Sequence, residues 1–146
     1  SYTLIETKNF ERALSTLEEI LHLTPEDITA LTMKGYILEK QEFYHESAAI
    51  YEQILEQDPE NTNASNSLAF ILAHTDQNLT RALYLAQKAC KSNTQSGAFL
   101  DTLGYVYLKQ GDLKKAKALF QTAQKYSPLS EEIKNHLESI AHNGTK

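Results

Sequence analysis

The chain has 146 residues, 41% of them hydrophobic, a size and apolar content that suit one domain able to bury a sizeable core. Its formal charge of −5 argues against nucleic-acid binding, because the short run Lys114, Lys115 and Lys117 has no recognition motif beside it. No apolar run of about 18 residues is present to span a bilayer, no charged start leads into an apolar stretch, and the lone Cys90 excludes an internal disulfide or a cysteine-based zinc site.

Along the chain, Ser1, Tyr2 and Leu4 read as the latter half of a first helix, and Ala13, Leu17, Ile20 and Pro25 as the second helix of the same partial unit, residues 1–25. A start in mid-repeat predicts a piece of a longer protein, with more repeats or another domain upstream. It also predicts an open edge at Leu4, Phe10 and Leu17 that invites association. Residues 26–59 follow as a helix pair, with Leu31, Gly35 and Leu38 on one stripe, Ser47, Tyr51 and Ile54 on the next, and Pro59 closing the unit. Lys34 is its one polar departure. Residues 60–94 form a more degenerate pair, with Ser65, Leu68, Ala69 and Leu72, then Ala82, Ala86 and Ala89, and one extra residue around Asp76 to Asn78.

Residues 95–128 give the clearest unit: Leu100, Leu103, Gly104 and Tyr107, then Ala116, Phe120 and Ala123, then Pro128. Beyond it, Ser130 is placed to cap a helix whose first turn carries Glu131 and Glu132, both favourable beside helix N–H groups. The stripe of that helix is Ile133, Leu137 and Ile140, with Lys134 and Glu138 where a further repeat needs apolar and small residues. Residues 129–142 therefore read as a solvating cap, and 143–146 as a tail.

Tyr2, Tyr36, Phe70 and Tyr105 stand 34, 34 and 35 positions apart. With this order of large, small and closing residues, the chain resembles the tetratricopeptide-repeat family. The resemblance implies an all-α, right-handed superhelical solenoid of antiparallel helix pairs with a C-terminal capping helix. Two short helices cannot bury their apolar faces alone, so neighbours must stack, and small residues mark the closest approaches. Those residues are Gly35, Ala69 and Gly104 in the first helices and Ser47, Ala82 and Ala116 in the second.

In this family the first helix of each pair lines a concave groove. The groove residues this implies are the aromatic ladder Tyr2, Tyr36, Phe70 and Tyr105, together with Met33, Lys40, Asn63, Asn66, Asp101 and Lys109. Thr29, Thr32, Glu39, Ser67, Ala73, His74, Ala98, Thr102 and Leu108 fall at further groove positions. Asparagine amides can donate to and accept from a peptide backbone, and aromatic faces can bury side chains. A subclass of the family clamps chaperone C-terminal carboxylates with lysines, asparagines and an arginine. At the matching places this chain has Thr32 and Tyr36, then Ser67, then Ala98 and Thr102, so the positive charges are missing and a carboxylate clamp is not expected. Ser67-Leu68-Ala69-Phe70 and Leu100-Asp101-Thr102-Leu103-Gly104-Tyr105 resemble the repeat arrays of bacterial envelope, exopolysaccharide-export and outer-membrane assembly proteins. That resemblance implies a bacterial protein of the cytoplasm or periplasm.

An enzyme is not expected. His22, His45, His74, His136 and His142 are scattered over different units, with no histidine pair at i, i+4 beside an acidic residue and no cysteine companions, so no metal or cofactor motif emerges. No phosphate loop or nucleophile elbow is present. Charge is uneven, with 13 acidic and 4 basic residues up to Ala73 against 6 and 10 from His74 onward. The expected function is a protein-interaction module or scaffold with a peptide-like partner, contacting roughly 800 Å² on each side. The alternative is an oligomerisation or docking arm of a larger enzyme or envelope assembly protein, self-associating through the N-terminal edge or the charged ends.

Overall fold

The computed structural model describes residues 2–143, and every regular element among them is an α-helix. In chain order these are α1 (Leu4–Leu23), α2 (Ile28–Lys40), α3 (Tyr44–Gln57), α4 (Thr62–His74), α5 (Leu79–Ser92), α6 (Gly97–Lys109), α7 (Leu113–Tyr126) and α8 (Glu131–Asn143). Ser1, assigned by sequence to the first partial unit, and tail residues 144–146 lie outside the described residues. The chain divides into two compact units, Ser1–Ala64 and Ser65–Lys146.

Short polar side chains start the helices by taking up N–H groups that have no helical partner. Thr3 Oγ1 accepts from the Glu6 N–H at 3.2 Å while the Glu6 carboxylate accepts from the Thr3 N–H at 2.8 Å, a reciprocal capping box. Asp27, Asn61, Asn78, Ser96, Asp112 and Ser130 each accept from the N–H three residues on. The capping box also corrects the reading of residues 1–25. α1 runs unbroken from Leu4 to Leu23, so Tyr2 precedes this helix and is not the end of an earlier one.

Inside the helix pairs, three turns share one geometry. The N–H groups of Phe43, Gln77 and Asp112 donate to the carbonyls of Leu38, Leu72 and Tyr107 at 2.8, 2.8 and 2.9 Å, the long bond of a Schellman ending. The residues before them, Glu42, Asp76 and Gly111, have φ of 64°, 53° and 87°. Only Gly111 reaches that left-handed region without a Cβ penalty. Asn78, also left-handed at φ 42°, takes up the additional residue of the α4–α5 turn and caps α5.

In the first unit, Leu17, Ala30 and Ile37 form a buried cluster with Phe10, Ala13, Leu14 and Leu21 packed around it. Leu17, expected on an open edge, is therefore in the core, whereas Leu4 and Ile5 are 73% and 72% exposed. The Lys34 ammonium lies 3.8 Å from Glu18, so a cation is tolerated where the repeat prefers leucine. Between α2 and α3, Ser47 donates its hydroxyl to the Gly35 carbonyl at 2.7 Å, which satisfies a fully buried polar group at a close helix approach.

In the second unit, α8 lays Ile133, Leu137 and Ile140 against α6 and α7. Ile133 joins Leu100 and Ala123 with Cys90, Leu119 and Leu137 beside them, and Ile140 joins Ala116 and Phe120 with Tyr105, Tyr107 and Leu108 beside them. A close approach that has no room to yield is Gly104 against the fully buried Phe120. A Cβ on Gly104 would meet the ring at 2.7 and 2.9 Å, and the Ala116 carbonyl at 3.3 Å.

Two expectations follow. Gly104→Ala should lower stability by about 1–3 kcal/mol in urea unfolding, because Phe120 is fully buried and cannot yield, even though alanine is the better helix former. Burial pushes the Cys90 thiol up to about 11. Since the thiolate is the nucleophile, alkylation at pH 8 should run at least about tenfold slower in the folded chain than in the urea-unfolded chain, and should accelerate as pH rises toward 10.

Candidate interaction faces

The two units present different first-helix faces. On α2 of the first unit, Leu31 and Ile37 point into the core at 2% and 7% exposure, leaving Met33 and Tyr36 each 52% exposed. Lys40, one turn on from Tyr36, holds its ammonium 5.2 Å from the Tyr36 ring centroid, a cation–π contact. Tyr2 packs edge-on against Phe10 with centroids 5.1 Å apart. Tyr2 and Lys40 also line a shallow cavity of about 310 Å³ with Gln41 and Glu42, and Gln41 Oε1 is buried without a hydrogen-bond partner. Asn63, in the first turn of α4, is exposed.

In the second unit the aromatics are joined into one network. Phe70 stacks on His74 at 5.5 Å and meets the edge of Tyr105 at 5.4 Å. His74 Nδ1 and the Tyr105 hydroxyl are 2.9 Å apart, within hydrogen-bond reach. Burial first, then the Asp76 and Glu132 carboxylates, hold the Tyr105 hydroxyl above the ordinary tyrosine value, so it keeps its proton at neutral pH. On its other side Tyr105 meets His136 edge to face at 5.0 Å, and His136 stacks on Phe120 at 5.0 Å. His136 Nδ1 lies 2.7 Å from Asp101 Oδ1, and because a carboxylate can only accept, the imidazole donates from Nδ1.

Several expected groove residues are thereby reassigned. Asp101 is 5% exposed and held by His136, so it is an interior partner and not an open groove position. Thr102 is buried too, its hydroxyl donating to the Ala98 carbonyl at 3.1 Å. Lys109 is paired with Asp76 at 3.2 Å. Asn66 is half-buried, with Oδ1 shielded from solvent and no hydrogen-bond partner. Phe70 and Tyr105 are half-buried in ring contacts, whereas Tyr36 is open, so the ladder is not uniform.

His136 was missed in the sequence because α8 reads as a solvating cap. Two signals could have found it: it stands 35 residues after Asp101, one repeat on, and four after Glu132.

The family profile described as the Psidin N-terminal TPR repeats region matches residues 1–130. A TPR repeat-containing protein of Pseudomonas aeruginosa is 28% identical over 127 residues, covering 87% of this chain and 21% of that protein. The mitochondrial import receptor subunit TOM70 of Homo sapiens is 21% identical over 123 residues, covering 84% of this chain and 20% of the receptor. The chain thus spans about a fifth of the length of these relatives. Among solved structures, the MamA 41-end fragment from Desulfovibrio magneticus RS-1 superposes with a TM-score of 0.79 at 19% identity, covering 97% of this chain and 79% of that one. The first TPR of Spaghetti (RPAP3), solved bound to the HSP90 peptide SRMEEVD, superposes with a TM-score of 0.68 at 20% identity, covering 82% and 94%. The repeat period, the helix pairs and the profile match agree: the chain belongs to the tetratricopeptide-repeat family of protein-interaction modules, through the repeat region described for Psidin.

Proposed function

We propose that the chain is a non-catalytic binding module that takes a protein or peptide segment on its first-helix faces. Its repeats would be residues 26–59, 60–94 and 95–128, with 129–142 as the cap. The observation that carries this reading is the exposure of Met33 and Tyr36 on a helix that buries Ala30, Leu31, Gly35 and Ile37. Large, rigid, amphipathic side chains left half in water are the groups that dominate binding energy when a partner covers them. In the second unit, Phe70, His74 and Tyr105 offer a connected ring surface to a partner's apolar or aromatic side chains. The solved RPAP3 neighbour holds a peptide ending in carboxylates. Here Thr32, Ser67, Ala98 and Thr102 supply no cation, so a partner segment carrying apolar or aromatic residues suits these faces better than an acidic C-terminus.

A second reading has its own support. Leu4 and Ile5 are largely exposed at the start of α1, and the relatives are about five times longer than the matched region, which suits a docking or self-association arm of a larger assembly.

Peptides selected from a random display library against the wild-type chain provide the test. Tyr36→Ala should weaken the selected peptides by about 1–3 kcal/mol with an unchanged melting curve, since its ring is half in water. Phe70→Ala and Tyr105→Ala should weaken binding and also lower the melting temperature, because their rings pack on one another. Unchanged affinity in Tyr36→Ala would remove the α2 face from the site. A salt-sensitive dimer in sedimentation velocity, lost in Leu4→Ser/Ile5→Ser, would favour the second reading.

A further inference from the structure

We infer that Asp101, Glu132 and His136 form a divalent-cation site, of a chemistry that suits zinc, clipping α8 to α6. One potential ligand atom from each of the three side chains lies within 4.8 Å of the other two. Glu132 and His136 are four residues apart on α8, so both rise from one face of the helix, and Asp101 reaches them from α6. One imidazole nitrogen with two carboxylates is a donor set that zinc accepts, with a fourth position left for water.

The site is built, not merely a meeting of surface charges. Asp101 is 5% exposed in a helix whose neighbouring positions are apolar or small, and its bonded partner is His136. The His136 ring is fixed from two sides, stacked on the buried Phe120 at an interplanar angle of 27° and met edge-on by Tyr105 at 90°. Its rotation is therefore restricted before any ion arrives, which removes part of the ordering cost of binding. Glu132 is exposed, leaving one side open for an ion to enter.

The geometry needs one small adjustment. His136 Nδ1 and Asp101 Oδ1 are 2.7 Å apart as a hydrogen-bonded pair. Two ligands about 2.0–2.1 Å from a tetrahedral zinc stand about 3.3 Å apart, so the pair must open by a little over half an ångström. In the metal-bound form the neutral imidazole carries its proton on Nε2, and Nδ1 gives its lone pair to the ion. The carboxylate that held the Nδ1 proton then becomes a ligand itself, so no buried charge is left without a partner.

The test is titration of the folded chain with Zn²⁺ alone, followed by calorimetry and by the imidazole resonances of its five histidines. The expected result is saturable binding of one ion per chain and a zinc-induced shift of His136. Glu132→Gln, on an exposed side chain, should lower the apo melting temperature only slightly, through the lost charge in the first turn of α8, and should weaken zinc at least tenfold, while His142→Gln should leave the affinity unchanged. Asp101→Asn should also weaken zinc, but it breaks a buried pair and is read only alongside its melting curve. No binding, equal affinity in Glu132→Gln, or shifts confined to His22, His45 and His142 would each overturn the proposal.

Discussion

The Phe120 ring sits where a side chain on Gly104 would have to be, and the second unit is organised around that approach. Because Gly104 has no Cβ, α6 and α7 come close enough to enclose Phe120 completely, and Ala116 keeps the facing surface flat. The enclosed ring then supports His136 from α8 by stacking, and His136 in turn holds the Asp101 carboxylate inside α6. Tyr105, on the same imidazole, links this interior to Phe70 and His74 on α4. A single small residue thus connects helix packing to the chemistry of the exposed face.

The repeat grammar was legible because it is dictated by packing. Gly35, Ala69, Gly104, Ser47, Ala82 and Ala116 were singled out as close-approach residues, and all are buried. Polar chemistry was less legible. Asp101 was expected in the groove from its place on α6, but its carboxylate is buried against His136, 35 residues on, a pairing that the repeat period permits but does not specify. His136 is not legible as a ligand in a helix that reads as a solvating cap, because its useful neighbours are a carboxylate one helical turn back and another on a facing helix. At the N-terminus, extrapolating the period placed Tyr2 in an earlier helix, whereas the Thr3–Glu6 capping box starts a long helix there. Local hydrogen bonding sets the start of α1 there, the Thr3 side chain taking up a helix N–H that has no partner within the helix.

The two units also differ in what they can do for a partner. The α2 face offers separate, accessible groups, with the Lys40 ammonium over the Tyr36 ring. The second unit offers a connected ring surface in which moving one side chain disturbs the next, so binding and stability are coupled there. Thr32, Ser67, Ala98 and Thr102 stand where a carboxylate clamp would need charged or amide groups, and under the proposed reading the exposed aromatic groups would take a partner's apolar side chains.

The most direct measurement is a residue-by-residue map of amide and side-chain chemical shifts on adding the tightest selected peptide. The account predicts perturbations concentrated at Met33, Tyr36 and Lys40 on α2, at Phe70 and His74 on α4, or at each of these faces, with the outer residues of α3, α5 and α7 silent. Perturbations centred on those outer helices, or on Leu4 and Ile5 alone, would contradict it.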